Sequence, residues 1–180
     1  AVALGKKLCE QRKLVVCENS ITRLAKSRSF FHHACYISTT MGHNWTEVTV
    51  RGVVIDPMTG DPAILLEDEA ETAIISVPAD PGGAGSIISE LEGIHRDAPH
   101  SLLYRFFIRH GIRVTHVEIA RADSGELSAA LRYCHESHVF RMDVRPVDGI
   151  SIGILASAPL FAATKLINEY RHSEHAPRVM

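Results

Sequence analysis

The stretch VFRMDVRPVDGISIGILASAP, residues 139–159, constrains the fold of this chain more than any other. An alternating strand pattern runs directly into a proline-led helix, and Gly149, Gly153, Ala156 and Ser157 leave one face of that helix almost without side chains. A glycine inside a helix costs about 1 kcal/mol relative to alanine, so two on one face require a close contact in return. The partner must be a sheet or a second subunit. At the junction, Arg145 precedes a proline and is therefore driven toward extended geometry. Pro146 suits the first helical position, where a missing N–H loses nothing. Asp148 then becomes the third helical residue, beside unpaired N–H groups and the positive end of the helix dipole, a placement that stabilises by about 0.3–1 kcal/mol. The planar fork of Arg145 is expected to bridge Asp143 and Asp148.

Upstream, TEVTVRGVVI (46–55), AILLED and TAIISV read as three strands, with DPMTGDP as a turn between the first two. PADPGGAG reads as a flexible or close-approach loop, and SIISELEGI after it as a helix stopped by Gly93. A second helix is predicted from about Pro99 to His110. Leu102, Leu103, Phe106 and Phe107 form its expected buried stripe, with Ser101, Arg105 and Arg109 facing away. IRVTHVEIARA and ELSAALRYC flank a DSG hairpin signal, HVFRMDV follows as a third strand, and ATKLINEY is the last helix. The fold class is α+β: two antiparallel β-meanders with helices packed on them, in a single domain. Residues 1–44 read as a basic N-terminal extension, 45–170 as the domain and 171–180 as a tail.

Charge supports that division. Residues 1–44 hold seven Lys and Arg against two Glu, whereas the rest holds 12 basic and 19 acidic side chains, for a formal net charge of −2. Conventional nucleic-acid readers carry a stronger basic patch than this domain. No run of eighteen apolar residues exists, so no spanning helix is expected. Cys9, Cys17, Cys35 and Cys134 form no C-x-x-C pair, which suits a reducing, cytoplasmic setting. The Asn44 sequon reads as chance. CHESH (134–138) is a poor zinc site, because strand alternation is expected to put His135 and His138 on opposite faces.

The junction residues admit a chemical reading beside the structural one. Two carboxylates near a helix start can hold a divalent cation, since Mg²⁺ takes one or two carboxylates plus waters and phosphate oxygens. Asp143 and Asp148 are the candidate ligands, and an adjacent arginine can neutralise charge developing on a phosphodiester. Arg105 and Arg109, four apart, could contact phosphates from one helical face, against a default of solvated surface.

Residues 46–169 resemble the bifunctional nuclease domain family through EVTVRGVVIDPMTGDPAILLED, ISELEGI, HSLLYRFFIRHGIRVTHVEI and MDVRPVDGISIGILASAPLFA. The family pattern before its apolar helix, Asp-Ala-Arg-Pro-Ser-Asp-Ala, is met by Asp143, Arg145, Pro146 and Asp148, with Ala158 and Pro159 following. The resemblance implies RNase and DNase activity. Asp143 and Asp148 would hold a Mg or Mn ion or orient water, Arg145 would steady the phosphate, and His100 would move protons. Two family acids are replaced, by Ser101 after His100 and by Gly83, and Val147 stands for the serine. The competing expectation is therefore a catalytically depleted oligomeric binding or regulatory module. Expected partners are nucleic acid and a second copy in a homodimer, with no membrane.

Overall fold

A computed structural model describes residues 14–15, 44–57, 59–94 and 98–172. Its elements run β1 (Leu14–Val15), β2 (Trp45–Ile55), β3 (Pro62–Asp68), β4 (Ile74–Pro78), α1 (Pro81–Leu91), α2 (Pro99–Arg109), β5 (Ile112–Arg121), β6 (Leu127–His135), β7 (His138–Val144), α3 (Pro146–Ala156), β8 (Leu160–Ala163) and α4 (Thr164–His172). The α+β class holds, and the two meanders join into one sheet of order β4-β3-β2-β8-β5-β6-β7, with β1 pairing β2. The joining piece is β8, a four-residue strand antiparallel to β2 and parallel to β5. Only two pairs of alternating residues announce so short a strand, too few to single it out by alternation. The extension expected over residues 1–44 lies outside the described residues except at 14–15 and 44, as does the tail beyond residue 172.

Side-chain alternation places the core. Val48, Val50, Ile64, Leu66, Val117, Ile119, Leu131 and Ala162 project from one face of the sheet into a single cluster with Ile87, Phe107, Ile150, Leu166 and Ile167 of the four helices. The opposite face carries Phe161, Glu118, Arg132, Arg141 and Asp143, cross-strand neighbours in register.

The small face of α3 meets the sheet. A Cβ on Gly149 would lie 3.1 Å from Val117 and 3.2 Å from Val144, and one on Gly153 would lie 2.6 Å from Leu160. The sequence left a second subunit open as the partner of that face; the strands β5, β7 and β8 occupy it.

Two expectations are corrected. The expected loop PADPGGAG is instead the start of α1: Asp80 caps it by accepting from the Gly83 N–H at 2.9 Å, and Pro81 leads the first turn. Gly83 is required there because its Cβ would lie 2.5 Å from Val147 on α3, so its absence lets the two helices close. The stripe assigned to α2 is also misplaced. Phe107 is buried, whereas Leu102, Leu103 and Phe106 are 68%, 42% and 51% exposed. The inward line is His100, Tyr104 and Phe107, at i, i+4 and i+7, and its polar members hid it from a hydrophobicity count.

Candidate functional site

The proline-led junction forms as its residues require. Arg145 is extended, with φ −65° and ψ 146°, Pro146 opens α3, and Asp148 sits in the first turn. Asp148 does not capture backbone N–H groups. Its Oδ2 accepts from Arg145 Nε at 2.7 Å, and its Oδ1 accepts from a terminal nitrogen of Arg145 at 2.9 Å. Oδ1 also lies 3.0 Å from His100 Nε2, at the start of α2. Facing a carboxylate, Nε2 is the protonated nitrogen and donates. Nδ1 of His100 is buried and has no hydrogen-bond partner. A third helix reaches the same point, because Arg145 Nη1 is 3.9 Å from Oδ2 of the α1 cap residue Asp80. Asp80 was not singled out from sequence, although Asp-Pro before a glycine-rich turn is a helix-start signal.

Exposure grades outward across this group: the side chains of His100 and Asp148 are 18% and 25% exposed, Asp80 55% and Arg145 72%. The hydrogen bonds from Arg145, with help from His100, hold the Asp148 carboxyl below its ordinary value against the opposing effect of burial. Asp148 in turn raises Arg145.

A lowered folded pKa gives a stability term present above the unfolded value, about 3.9, and lost as pH falls through the folded value. Thermal melts in acid are therefore expected to show a loss for wild type below about pH 4. The loss should be shallower in Asp148→Asn, and superimposable acid limbs would contradict the assignment.

Asp143 does not join this group. Val144 faces α3 through Gly149, so its neighbour Asp143 points to the other side of the sheet by strand alternation. There it pairs with Arg141, which also comes within 4.0 Å of Glu118. Arg145 therefore bridges Asp148 and Asp80 rather than Asp148 and Asp143. Arg105 and Arg109 are exposed, and lie about 140° and 180° around α2 from His100. The structure does not bring them to the junction.

The carboxylate pair expected to hold a divalent cation does not form, since Asp143 and Asp148 occupy opposite faces and both oxygens of Asp148 are engaged. Among the described residues, no group of three or more His, Cys, Asp or Glu could hold a metal ion. His135 and His138 are cross-strand partners on one face, contrary to expectation, because the tight turn after His135 pairs them directly. Among the described residues, no helix is long and apolar enough to cross a membrane.

The other face holds a second polar group. Glu118 is 8% exposed and accepts from Arg132 Nε at 3.0 Å, with His116 Nε2 at 3.3 Å. Burial holds His116 below its ordinary value, against the pull of Glu118. Those contacts satisfy one another and fasten β5 to β6.

No curated protein matches the chain. The bifunctional nuclease domain family matches residues 64–175, from β3 to the residues after α4 and including the whole junction. With more than half of its 180 residues matched, in the order that the fold requires, the chain belongs to the bifunctional nuclease domain family.

Proposed function

We propose that this family member hydrolyses nucleic-acid phosphodiesters at the junction, with Arg145 as the phosphate contact and His100 as the proton donor. The observation that carries the reading is the convergence of His100, Asp148, Arg145 and Asp80 from three helices at one partly open point. Arg145 spends Nε and one terminal nitrogen on Asp148, and its other terminal nitrogen, beyond hydrogen-bond length from Asp80, is the one a phosphate oxygen can take. Water attacks phosphorus and the bond to the leaving oxygen breaks; that oxygen takes the proton from His100 Nε2, the ring nitrogen that is not sealed, and Nε2 is restored by the proton that the attacking water releases. Asp148 orients both partners. No step is routed through a cation, since the residues present do not make the carboxylate pair expected for Mg or Mn.

The test is cleavage of single-stranded RNA and DNA by wild type, His100→Gln and Arg145→Lys, each with EDTA and with Mn²⁺. Cleavage is expected to persist in EDTA and to fall about 100-fold or more in His100→Gln, the usual contribution of a positioned acid. Equal cleavage by His100→Gln and wild type would end the proposal.

Three observations favour a second reading, a depleted member that binds without cleaving. Asp148 has both oxygens engaged, His100 Nδ1 is sealed, and Ser101 and Gly83 stand where two family acids are expected. On that reading the junction is a three-helix fastening. Cleavage would be absent, while Asp148→Ala would lower stability by roughly 1–2 kcal/mol through the partly exposed ion pair and the helix terminus.

A further inference from the structure

We propose that the outer face of the Phe140 ring is a stacking platform for one base of an unpaired nucleic-acid strand, which then follows β7 to Arg145. The inference rests on the reading of Arg145 as a phosphate contact, and adds to it the substrate class: single strands rather than duplex.

A series of rings leads out of the core to this point. Phe107 is buried on the inner side of α2. Tyr133 follows at 6.3 Å between centroids, with the ring planes 19° apart, and Phe140 follows Tyr133 at 5.2 Å and 17°. Tyr133 and Phe140 are opposed across β6 and β7. Their separation is close to the spacing of adjacent strands, about 4.8 Å, so the stack advances from strand to strand across the sheet. Among the described residues no strand lies beyond β7, and the outer face of the last ring is therefore turned off the sheet edge. Phe140 is 41% exposed there. Offset stacking is an arrangement that aromatic rings prefer, and another flat π system extends such a series.

The surroundings suit a nucleotide chain rather than an isolated aromatic molecule. Alternation puts Phe140, Met142 and Val144 on one face of β7, and Val144 adjoins Arg145 at the junction. Met142 is 42% exposed, and its polarizable thioether adapts to whatever flat group lies against it. From Phe140 to Arg145 is five residues of extended chain, about 17 Å. A polymer carrying bases and phosphates in repeat can rest on the ring and reach the guanidinium; a single aromatic molecule cannot.

Charge agrees. The domain as a whole is acidic, yet residues 98–117, which include all of α2, hold three Arg and three His and no Asp or Glu. α2 and β7 both leave the junction, α2 from His100 beside Asp148 and β7 from Val144, so this acid-free segment runs on from the phosphate contact. An electropositive surface that tracks a backbone, with rings for the bases, is the general means of holding single strands. A base can meet Phe140 only after leaving its own stack, which a duplex resists and an unpaired strand does not.

The test is fluorescence anisotropy of a labelled oligothymidylate with the full chain, in the His100→Gln background so that the strand is not consumed. Phe140→Leu keeps an apolar side chain and removes the π face. It is expected to weaken binding about 10- to 100-fold, and Phe140→Tyr to restore it, with melts and circular dichroism confirming that each variant is folded. A single abasic residue moved along the oligomer is expected to find one position where its loss matches that of Phe140→Leu and the two losses do not add, a coupling that a merely structural ring does not produce. Hybridising the oligomer to its complement is expected to abolish the difference between Phe and Leu. Binding that depends on Phe140 without cleavage by wild type would end the hydrolytic reading and leave the platform in place. Cleavage by wild type with equal binding by the Phe140 variants would overturn the platform alone. Losses that add at every abasic position overturn it too. So does a Phe140→Leu variant that lowers the sedimentation mass while binding is unchanged, since the ring then faces another protein chain.

Discussion

Gly153→Val is expected to destabilise the protein by about 3 kcal/mol, an overpacking cost at the high end of what a close-packed core imposes. A Cβ at Gly153 would lie 2.6 Å from Leu160 Cδ2 and 3.1 Å from Val117 Cγ2, both in buried residues of the strands beneath α3. Both neighbours are buried, so a retreat of either side chain has to repack the core beneath α3. Chemical denaturation would read the loss as a lower midpoint, and heat as a melting point down by roughly 10 °C for a chain of this size. Gly85 supplies the control. It is an exposed helical glycine with nothing within 4 Å of a built Cβ, so Gly85→Ala is expected to stabilise by up to about 1 kcal/mol. Equal effects at the two positions would mean that close approach is not what α3 requires.

Asp68→Ala is expected to lose about 3 kcal/mol, since it strands two backbone donors, one of them the buried Ala73 N–H, beneath the β3–β4 turn. The Asp68 side chain is 2% exposed. Its Oδ1 accepts from the Thr72 and Ala73 N–H groups at 2.8 and 2.7 Å, and its Oδ2 accepts from the Thr72 hydroxyl at 2.7 Å, with Arg171 of α4 at 3.6 Å. The carboxylate thus ties the β3–β4 turn to the last helix. Burial opposes its charge, yet these hydrogen bonds and Arg171 together hold it below its ordinary value. By the sign worked out for Asp148, its contribution is present above the unfolded value and is lost in the same acid window. Urea denaturation of Asp68→Ala and Asp68→Asn would check this, the asparagine retaining one acceptor and losing less. A loss under 1 kcal/mol for alanine would show that water replaces the carboxylate in the turn.

Much of the junction was legible before any coordinates. Proline restricts its own φ and its predecessor's ψ, so the extended Arg145 and the helix start at Pro146 followed from two adjacent residues. The placement of Asp148 in the first turn followed from counting. Neighbours distant in sequence were not available to the same reasoning. His100 lies 48 residues from Asp148, and Asp80 caps a helix whose glycine-rich first turn has the composition of a loop. The stripe on α2 failed for a related reason. A count of apolar residues finds the greasier side of a helix, and here that side faces outward.

The local chemistry of the chain determined its strands, its proline-led helix starts and the need for something close beneath Gly149 and Gly153, because each depends on residues within a turn or two of one another. Tertiary structure alone decided that the sheet fills that space, that four residues of β8 join two meanders, and that Asp143 and Asp148 part to opposite faces. Strand alternation reverses a side chain's direction with a shift of one residue, and spacing along the chain does not reveal which face another element will cover.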